Sequence, residues 1–279
     1  MQATLEHIRT ELAGLYDKGE LDTVCKALCL ELLDIPQTDF WLRNCLIPDS
    51  SREARLDAAL DRLKRGEPLQ YVLGTALFCG LSFSVGPGVL IPRPETAGLV
   101  EWVGTFCRGR GGSLLDVGCG SGCISVTLAS GLREWTVLGW DISDAALMIS
   151  DRNAKANGVD VKFEKHDILS QSGKGYRFDV IVSNPPYVTS SERNGMERNV
   201  LDYEPELALF VPDNDPLLYY RAIARFGLDA LTPGGRLFFE INPLFSSEME
   251  GLLAGLGYCD IETRNDIFGK RRMMSALLK

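Results

Sequence analysis

Long apolar runs are missing from this chain of 279 residues, and none approaches the roughly 18 residues that a membrane span requires. Met1 to Thr10 mixes acidic and basic side chains and holds no apolar signal core, so a cytoplasmic protein is expected. Basic excess is lacking too. A net charge of −9 argues against a broad phosphate-tracking surface and hence against a nucleic-acid partner. The local clusters at Arg62 to Arg65, Arg108 to Arg110 and Lys270 to Arg272 read as solvated faces. Histidine is nearly absent, with only His7 and His166, far apart. The eight cysteines include no C-x-x-C, and Cys25/Cys29 and Cys119/Cys123 are each separated by three residues. Reduced, mostly buried thiols are therefore expected, and no metal site. No G-x-x-x-x-G-K-[ST] occurs, which removes a phosphate-cradling P-loop. Internal repeats and low-complexity tracts are missing as well.

What is present falls into two kinds of pattern. Up to about residue 66, apolar residues recur at helical spacing, as in Leu21, Val24, Leu28, Leu32 and Leu56, Leu60, Leu63. Asp34-Ile35-Pro36 and Ile47-Pro48-Asp49 read as breaks, and Ser51 as the N-cap of the helix after the second break. A small helical bundle is expected. Two short strands around Cys79-Gly80 (76–78 and 81–85) follow, and then a helix from Pro94 and Glu95 to Cys107. From Ser113 onward strands at 113–118, 136–141, 161–167, 178–184 and 236–241 alternate with helices at 121–131, 144–157, 215–230 and 246–256. Such alternation predicts an α/β fold with a mainly parallel sheet covered by helices on both faces. Strands 259–266 and 271–278 leave no room for a helix between them, so they should form an antiparallel edge hairpin.

Four stretches at strand ends carry chemistry. The first strand runs into Gly118-Cys119-Gly120-Ser121-Gly122, whose glycines allow a sharp turn and close approach to a ligand. Cys123 stands where a dinucleotide fingerprint has its third glycine, which counts against that fingerprint. The second strand ends in Asp141, 19 residues beyond Gly122, where an acid can accept both ribose hydroxyls of a nucleoside. The third ends in His166-Asp167-Ile168, with Asp167 suited to an adenine amine and Ile168 to the ring face. Either aspartate is also suited to cap the helix that follows, as strand-end aspartates often do. The apolar run Phe178 to Val182 ends in Ser183-Asn184-Pro185-Pro186-Tyr187. Proline removes the N–H donors there, so Asn184 Oδ1 and the Pro185 carbonyl can together accept both hydrogens of a planar –NH2 group beside the Tyr187 ring. Taken alone, the same residues are also an ordinary Asn-Pro turn after a strand.

In this order the four stretches resemble a class I methyltransferase that binds S-adenosylmethionine. Asn-Pro-Pro-Tyr after the fourth strand marks the members that methylate planar, conjugated nitrogens. Leu69-Gln70-Tyr71-Val72-Leu73-Gly74 and Ile91-Pro92-Arg93-Pro94-Glu95-Thr96 narrow the resemblance to the HemK/PrmC family, protein-(glutamine-N5) methyltransferases acting on peptide chain release factors, over essentially the whole chain. The resemblance implies a Rossmann-like seven-stranded sheet in a methyltransferase domain (93–279), a helical substrate-recognition domain (1–70) and a β-hairpin linker (71–92). It implies cofactor contacts at Arg93, Asp116, Gly118, Cys119, Gly120, Ser121, Gly122, Asp141, Ile142, Asp167, Ile168 and Asn184. Substrate contacts fall on Glu95, Asn184, Pro185, Pro186 and Tyr187, with Asn184, Pro185 and Tyr187 carrying the chemistry. The implied partner is the Gly-Gly-Gln loop of release factors, met by a monomer without nucleic acid or membrane. A ribosomal-protein glutamine, a nucleic-acid amine on adenine or guanine, and a non-catalytic cofactor-binding protein are the alternatives. One departure is visible: the family pattern Pro-Glu-Thr-Glu has Ala97 in its last place.

Overall fold

The computed structural model describes residues 2–42 and 49–279, and the break expected at Ile47-Pro48 lies outside them. The chain forms two compact units, one running to Thr75 and including Glu197–Tyr203, the other comprising Ala76–Met196 and Glu204–Lys279. Among the described residues no helix is long and apolar enough to cross a membrane.

The first unit contains α1 (Gln2–Glu11), α2 (Lys18–Ala27) with a π-helical extension Leu28–Leu32, α3 (Gln37–Leu42), α4 (Ser50–Lys64) and α5 (Leu69–Leu73). Its core is built from the residues with helical spacing, among them Val24, Leu28, Leu56, Leu60 and Leu63, packed with Ile8 and Leu12. Asp17 closes a capping box with Glu20 at the start of α2. Asp49, and not Ser51, caps α4: its carboxylate accepts the Arg52 N–H, so both serines fall inside the first turn.

The second unit begins with a hairpin of β1 (Thr75–Phe78) and β2 (Leu81–Ser84). Cys79 and Gly80, both at positive φ, make its turn. Next come α6 (Thr96–Cys107), β3 (Gly112–Val117), α7 (Cys123–Gly131), β4 (Trp135–Asp141), α8 (Asp144–Ala156), β5 (Lys162–Lys165) and β6 (Phe178–Ser183). Pro94 and Glu95 form a tight turn before α6 and not its first α-helical turn, with Thr96 N bonded to Arg93 O and Ala97 N to Pro94 O. Between 188 and 211 the chain forms β7 (Val188–Thr189), α9 (Arg198–Tyr203, which belongs to the first unit), α10 (Glu206–Leu209) and β8 (Phe210–Val211), none of which was expected. Two-residue strands and one-turn helices leave no periodic signal. Then follow α11 (Leu218–Ala230), β9 (Leu231–Glu240), α12 (Ser246–Gly255), β10 (Cys259–Asn265) and β11 (Arg271–Leu277).

The seven-stranded sheet has the order β10-β11-β9-β6-β3-β4-β5. Neighbours from β9 to β5 are parallel, and β11 runs antiparallel to both β9 and β10. Fold class and edge hairpin therefore agree with expectation. β9 starts earlier than expected, at Leu231, because Leu231 pairs with Phe178 before a register shift over Pro233-Gly234-Gly235.

Side chains alternate between two cores, as pleating requires. Leu114, Val180, Val182 and Phe238 face α6, α7 and α8. Leu115, Ile181, Leu237 and Phe239 face α11 and α12. Asn153 of α8 ties the hairpin to the loop after β3: it accepts from Ser84 N at 2.7 Å and donates to Ser84 O and Ser121 O at 3.0 and 2.8 Å.

Phe238 is fully buried and meets Trp102 and Phe106 edge to face at 5.4 and 5.5 Å. Phe238→Ala should therefore cost about 3–5 kcal/mol of unfolding free energy. Urea titration checks this, and a loss below about 1 kcal/mol would show that the site collapses without penalty.

Candidate functional site

Strand order reverses between β3 and β6, the place where a parallel sheet opens a crevice beyond its carboxyl ends. A cavity of ≈ 360 Å³ lies there. Its lining includes Gly118 to Ser121, Asp141, Ile142, Asp167, Ile168, Asn184, Pro185, Pro186 and Arg93.

The glycine loop is shaped by its neighbours. Gly118 N and Cys119 N both donate to Trp140 O, at 2.8 and 3.0 Å, and Gly120 N donates to Asp141 Oδ2 at 2.9 Å. Gly118, Gly120 and Gly122 take φ of +72°, +54° and +78°, conformations that strain any other L-residue. At Gly122 space is limiting too, since a Cβ would stand 3.0 Å from that of Ser150.

Asp141 is half-buried. Its Oδ1 accepts from Ser143 N at 2.9 Å, so it orders the loop, and Ser143 itself caps α8. Burial raises its carboxyl, and the amides of Ser143, Gly120 and Ile142 pull the other way. Asp167 accepts from Leu169 N at 3.0 Å, the local turn role that its position also allowed. His166, not singled out from sequence, lines the cavity and stacks on Trp140 at 4.0 Å.

Four expected residues are not among those lining this cavity: Asp116, Gly122, Glu95 and Tyr187, the last of which lines a smaller, adjoining one. Asp116 is fully buried behind the loop, where its Oδ2 accepts from Ser125 N at 3.1 Å in α7 and its Oδ1 has no hydrogen-bond partner among the described residues. Side chains alternate across β3, so Asp116 shares the face of Leu114 and points towards α7, not into the crevice. Glu95 is absent from the lining as well, whereas Thr96 contributes to it. Ala97 packs against the core on the α6 side, so the position that departs from the family pattern serves packing here.

A smaller cavity of ≈ 50 Å³ adjoins the first, sharing Leu90, Arg93, Asn184, Pro185 and Ala208. Tyr187 and Glu240 complete one side of it. Glu240, the last residue of β9, is 1% exposed. It accepts from Thr96 Oγ1 at 2.6 Å and from Tyr187 OH at 3.0 Å. Burial raises its carboxyl, opposed by these two hydroxyls and by Arg272. Thr96 Oγ1 in turn receives Asn184 Nδ2 at 3.4 Å. Another buried acid, Glu204, accepts from Arg93 at 2.6 Å and from Ile91 N at 3.0 Å, fixing the 89–93 wall. Neither glutamate was expected from sequence, because each meets partners more than a hundred residues away.

The arrangement can hold a nucleoside against Asp141, Ile142 and Ile168, and carry a group from there to whatever is held at Asn184. Residues 3–74 match the PrmC N-terminal domain and residues 97–201 the methyltransferase small domain. The release factor glutamine methyltransferase of Bacteroides thetaiotaomicron is 42% identical over 277 residues, 99% of each chain. That of Flavobacterium psychrophilum is 38% identical over 267 residues, 94% of each. A methyltransferase structure from Pyrococcus furiosus superposes with a TM-score of 0.52 over 82% of this chain and 98% of its own, at 20% identity, a likeness of fold.

Burial lifts the Asp116 carboxyl from 3.8 to about 7, against hydrogen bonds from Ser125. The folded state thus holds that proton more tightly than the unfolded chain. The stability this provides is complete below the ordinary carboxyl value and is lost as pH rises to about 7. Asp116→Asn should remove the loss, so between pH 5 and pH 8 the variant gains on the wild type by on the order of 1–4 kcal/mol. Urea midpoints of the cofactor-free proteins measure this, and an equal difference at both pH values would count against it.

Proposed function

The chain belongs to the release factor glutamine methyltransferase family, and from that premise we propose that it methylates the side-chain amide nitrogen (N5) of the glutamine in the Gly-Gly-Gln loop of peptide chain release factors, with S-adenosylmethionine as donor. The observation that carries this reading is the shared wall of the two cavities. Asn184 and Pro185 line both the larger one, of nucleoside size, and the smaller one beside Tyr187.

The residues present fit this cofactor. Gly118 and Gly120 bear no Cβ where the loop meets open space, Asp141 offers a carboxylate for ribose hydroxyls, and Ile142 and Ile168 offer apolar faces for adenine. Bound there, S-adenosylmethionine supplies an electrophilic sulfonium methyl. An amide nitrogen is a poor nucleophile, because its lone pair is delocalised into the carbonyl. Asn184 Oδ1 and the Pro185 carbonyl accept its two hydrogens, which aims the nitrogen and raises its electron density. The same acceptors stabilise the positive charge that grows on nitrogen as its bond to methyl forms and the sulfur–methyl bond breaks, with S-adenosylhomocysteine as the leaving group. Tyr187 walls the planar amide, and the displaced proton leaves to water. Holding the reactants in line can lower the barrier by roughly 7–11 kcal/mol. The helical region (1–70) selects the protein partner, the hairpin (71–92) links it, and 93–279 carries the chemistry, in a cytoplasmic monomer.

Incubation with purified release factors and labelled cofactor, followed by mass mapping, tests the substrate. One methyl on the glutamine of Gly-Gly-Gln is expected, whereas label on a ribosomal-protein glutamine or on a nucleic-acid base would overturn the assignment. Asp141→Ala should weaken cofactor binding roughly tenfold to a hundredfold, the cost of losing hydrogen bonds to a charged acceptor. Unchanged affinity by calorimetry would remove Asp141 from the ribose site.

A further inference from the structure

We propose that Glu240 is the positioning residue that sets the donor and acceptor polarity of Asn184 and seats Tyr187, one ionised carboxylate orienting both sides of the amide grip. The inference rests on Asn184 to Tyr187 being that grip.

A hydroxyl has a single proton to give. Thr96 commits its proton to Glu240 Oε2 at 2.6 Å, a short charge-assisted bond. Only lone pairs of Thr96 Oγ1 then remain for Asn184. A carboxamide facing lone pairs must present its NH2 end, and Asn184 Nδ2 does so at 3.4 Å. Its Oδ1 is thereby turned to the opposite arm, and among the described residues it accepts no hydrogen bond from the protein. With the amide reversed, Oδ1 would confront the lone pairs of Thr96, and the grip would offer a donor to a substrate that itself brings donors. The charge on Glu240 is thus read, two bonds along the chain, as the acceptor that the substrate amide needs.

The second carboxylate oxygen works on the other side. Tyr187 OH donates to Oε1 at 3.0 Å, which fixes the outer edge of the ring. Arg272 Nη1 approaches the same phenol oxygen at 3.5 Å, and its Nε bonds Asp266 Oδ2 at 3.3 Å. The backbone of Glu240 is held as well, since Tyr220 OH donates to its carbonyl at 3.1 Å. Ionised, the group faces both hydroxyls as a pure acceptor, whereas a proton on either oxygen would be a donor competing with theirs. A glutamine in its place keeps the shape but has one accepting atom, so it cannot serve Thr96 and Tyr187 together.

The test measures turnover and cofactor affinity separately. Glu240→Gln should lower kcat for release-factor methylation about tenfold or more while S-adenosylmethionine affinity stays within about twofold, the pattern of a group acting on the reacting geometry alone. Thr96→Val should show the same split, and Thr96→Ser, which restores the hydroxyl, should rescue turnover. Should Glu240→Gln fail to fold, the Thr96 pair decides. Wild-type kcat in Glu240→Gln, parallel losses of kcat and cofactor affinity, or failure of serine to rescue valine would each overturn the inference. A wild-type protein that transfers no methyl to release-factor glutamine would instead overturn the reading beneath it.

Discussion

Val117 and Ser183 stand opposite each other at the ends of β3 and β6, and the site depends on that register. Ser183 Oγ donates to Val117 O at 2.6 Å, a side-chain bond that ties the two strand ends where the backbone ladder stops. The next residue on one strand is Gly118 and on the other Asn184. The glycine loop and Asn184-Pro185-Pro186-Tyr187 are therefore adjacent because two parallel strands end level with each other. A slip of one residue would turn every side chain of β6 to the wrong face. The apolar layers that alternate along β6 guard against it: Val180 and Val182 pack towards α6, and Ile181 towards α11.

Around this pair the walls are secured by buried and half-buried polar groups. Asp141 orders the glycine loop through Gly120, Asn153 binds the hairpin to Ser121, Glu204 fastens the 89–93 segment, and Glu240 holds Thr96 and Tyr187. Burying such groups is costly unless they are bonded, and these are multiply bonded. Their contribution is geometric definition at the crevice, in a region made otherwise of loops.

Much of this was legible in the sequence, for physical reasons. Strand and helix periodicity revealed the doubly wound sheet, and Gly-x-Gly-x-Gly, Asp141 and Asn-Pro-Pro-Tyr are short motifs at strand ends that can be recognised without knowing their distant partners. Asp116 shows the limit of such reading, since it belongs to the motif in sequence yet faces Ser125 in the interior. Glu204 and Glu240 were illegible because their meaning lies in partners 111 and 144 residues away. The segment between Val188 and Val211 was illegible because its elements are too short for a period to show. At α4 the nearer cap, Asp49, prevailed over a serine that sits within the helix.

The place of β11 has a consequence for how the molecule comes into being. It lies between β9 and β10, so β9 gains its second neighbour only from a strand made some thirty residues later. During vectorial synthesis the segment Arg236-Leu237-Phe238-Phe239-Glu240 emerges with one edge bare, rich in aromatic and aliphatic side chains. Such an edge invites pairing with other nascent chains. Until Arg271–Leu277 pairs there, the row of N–H and C=O groups on that side of β9 has no strand to close it.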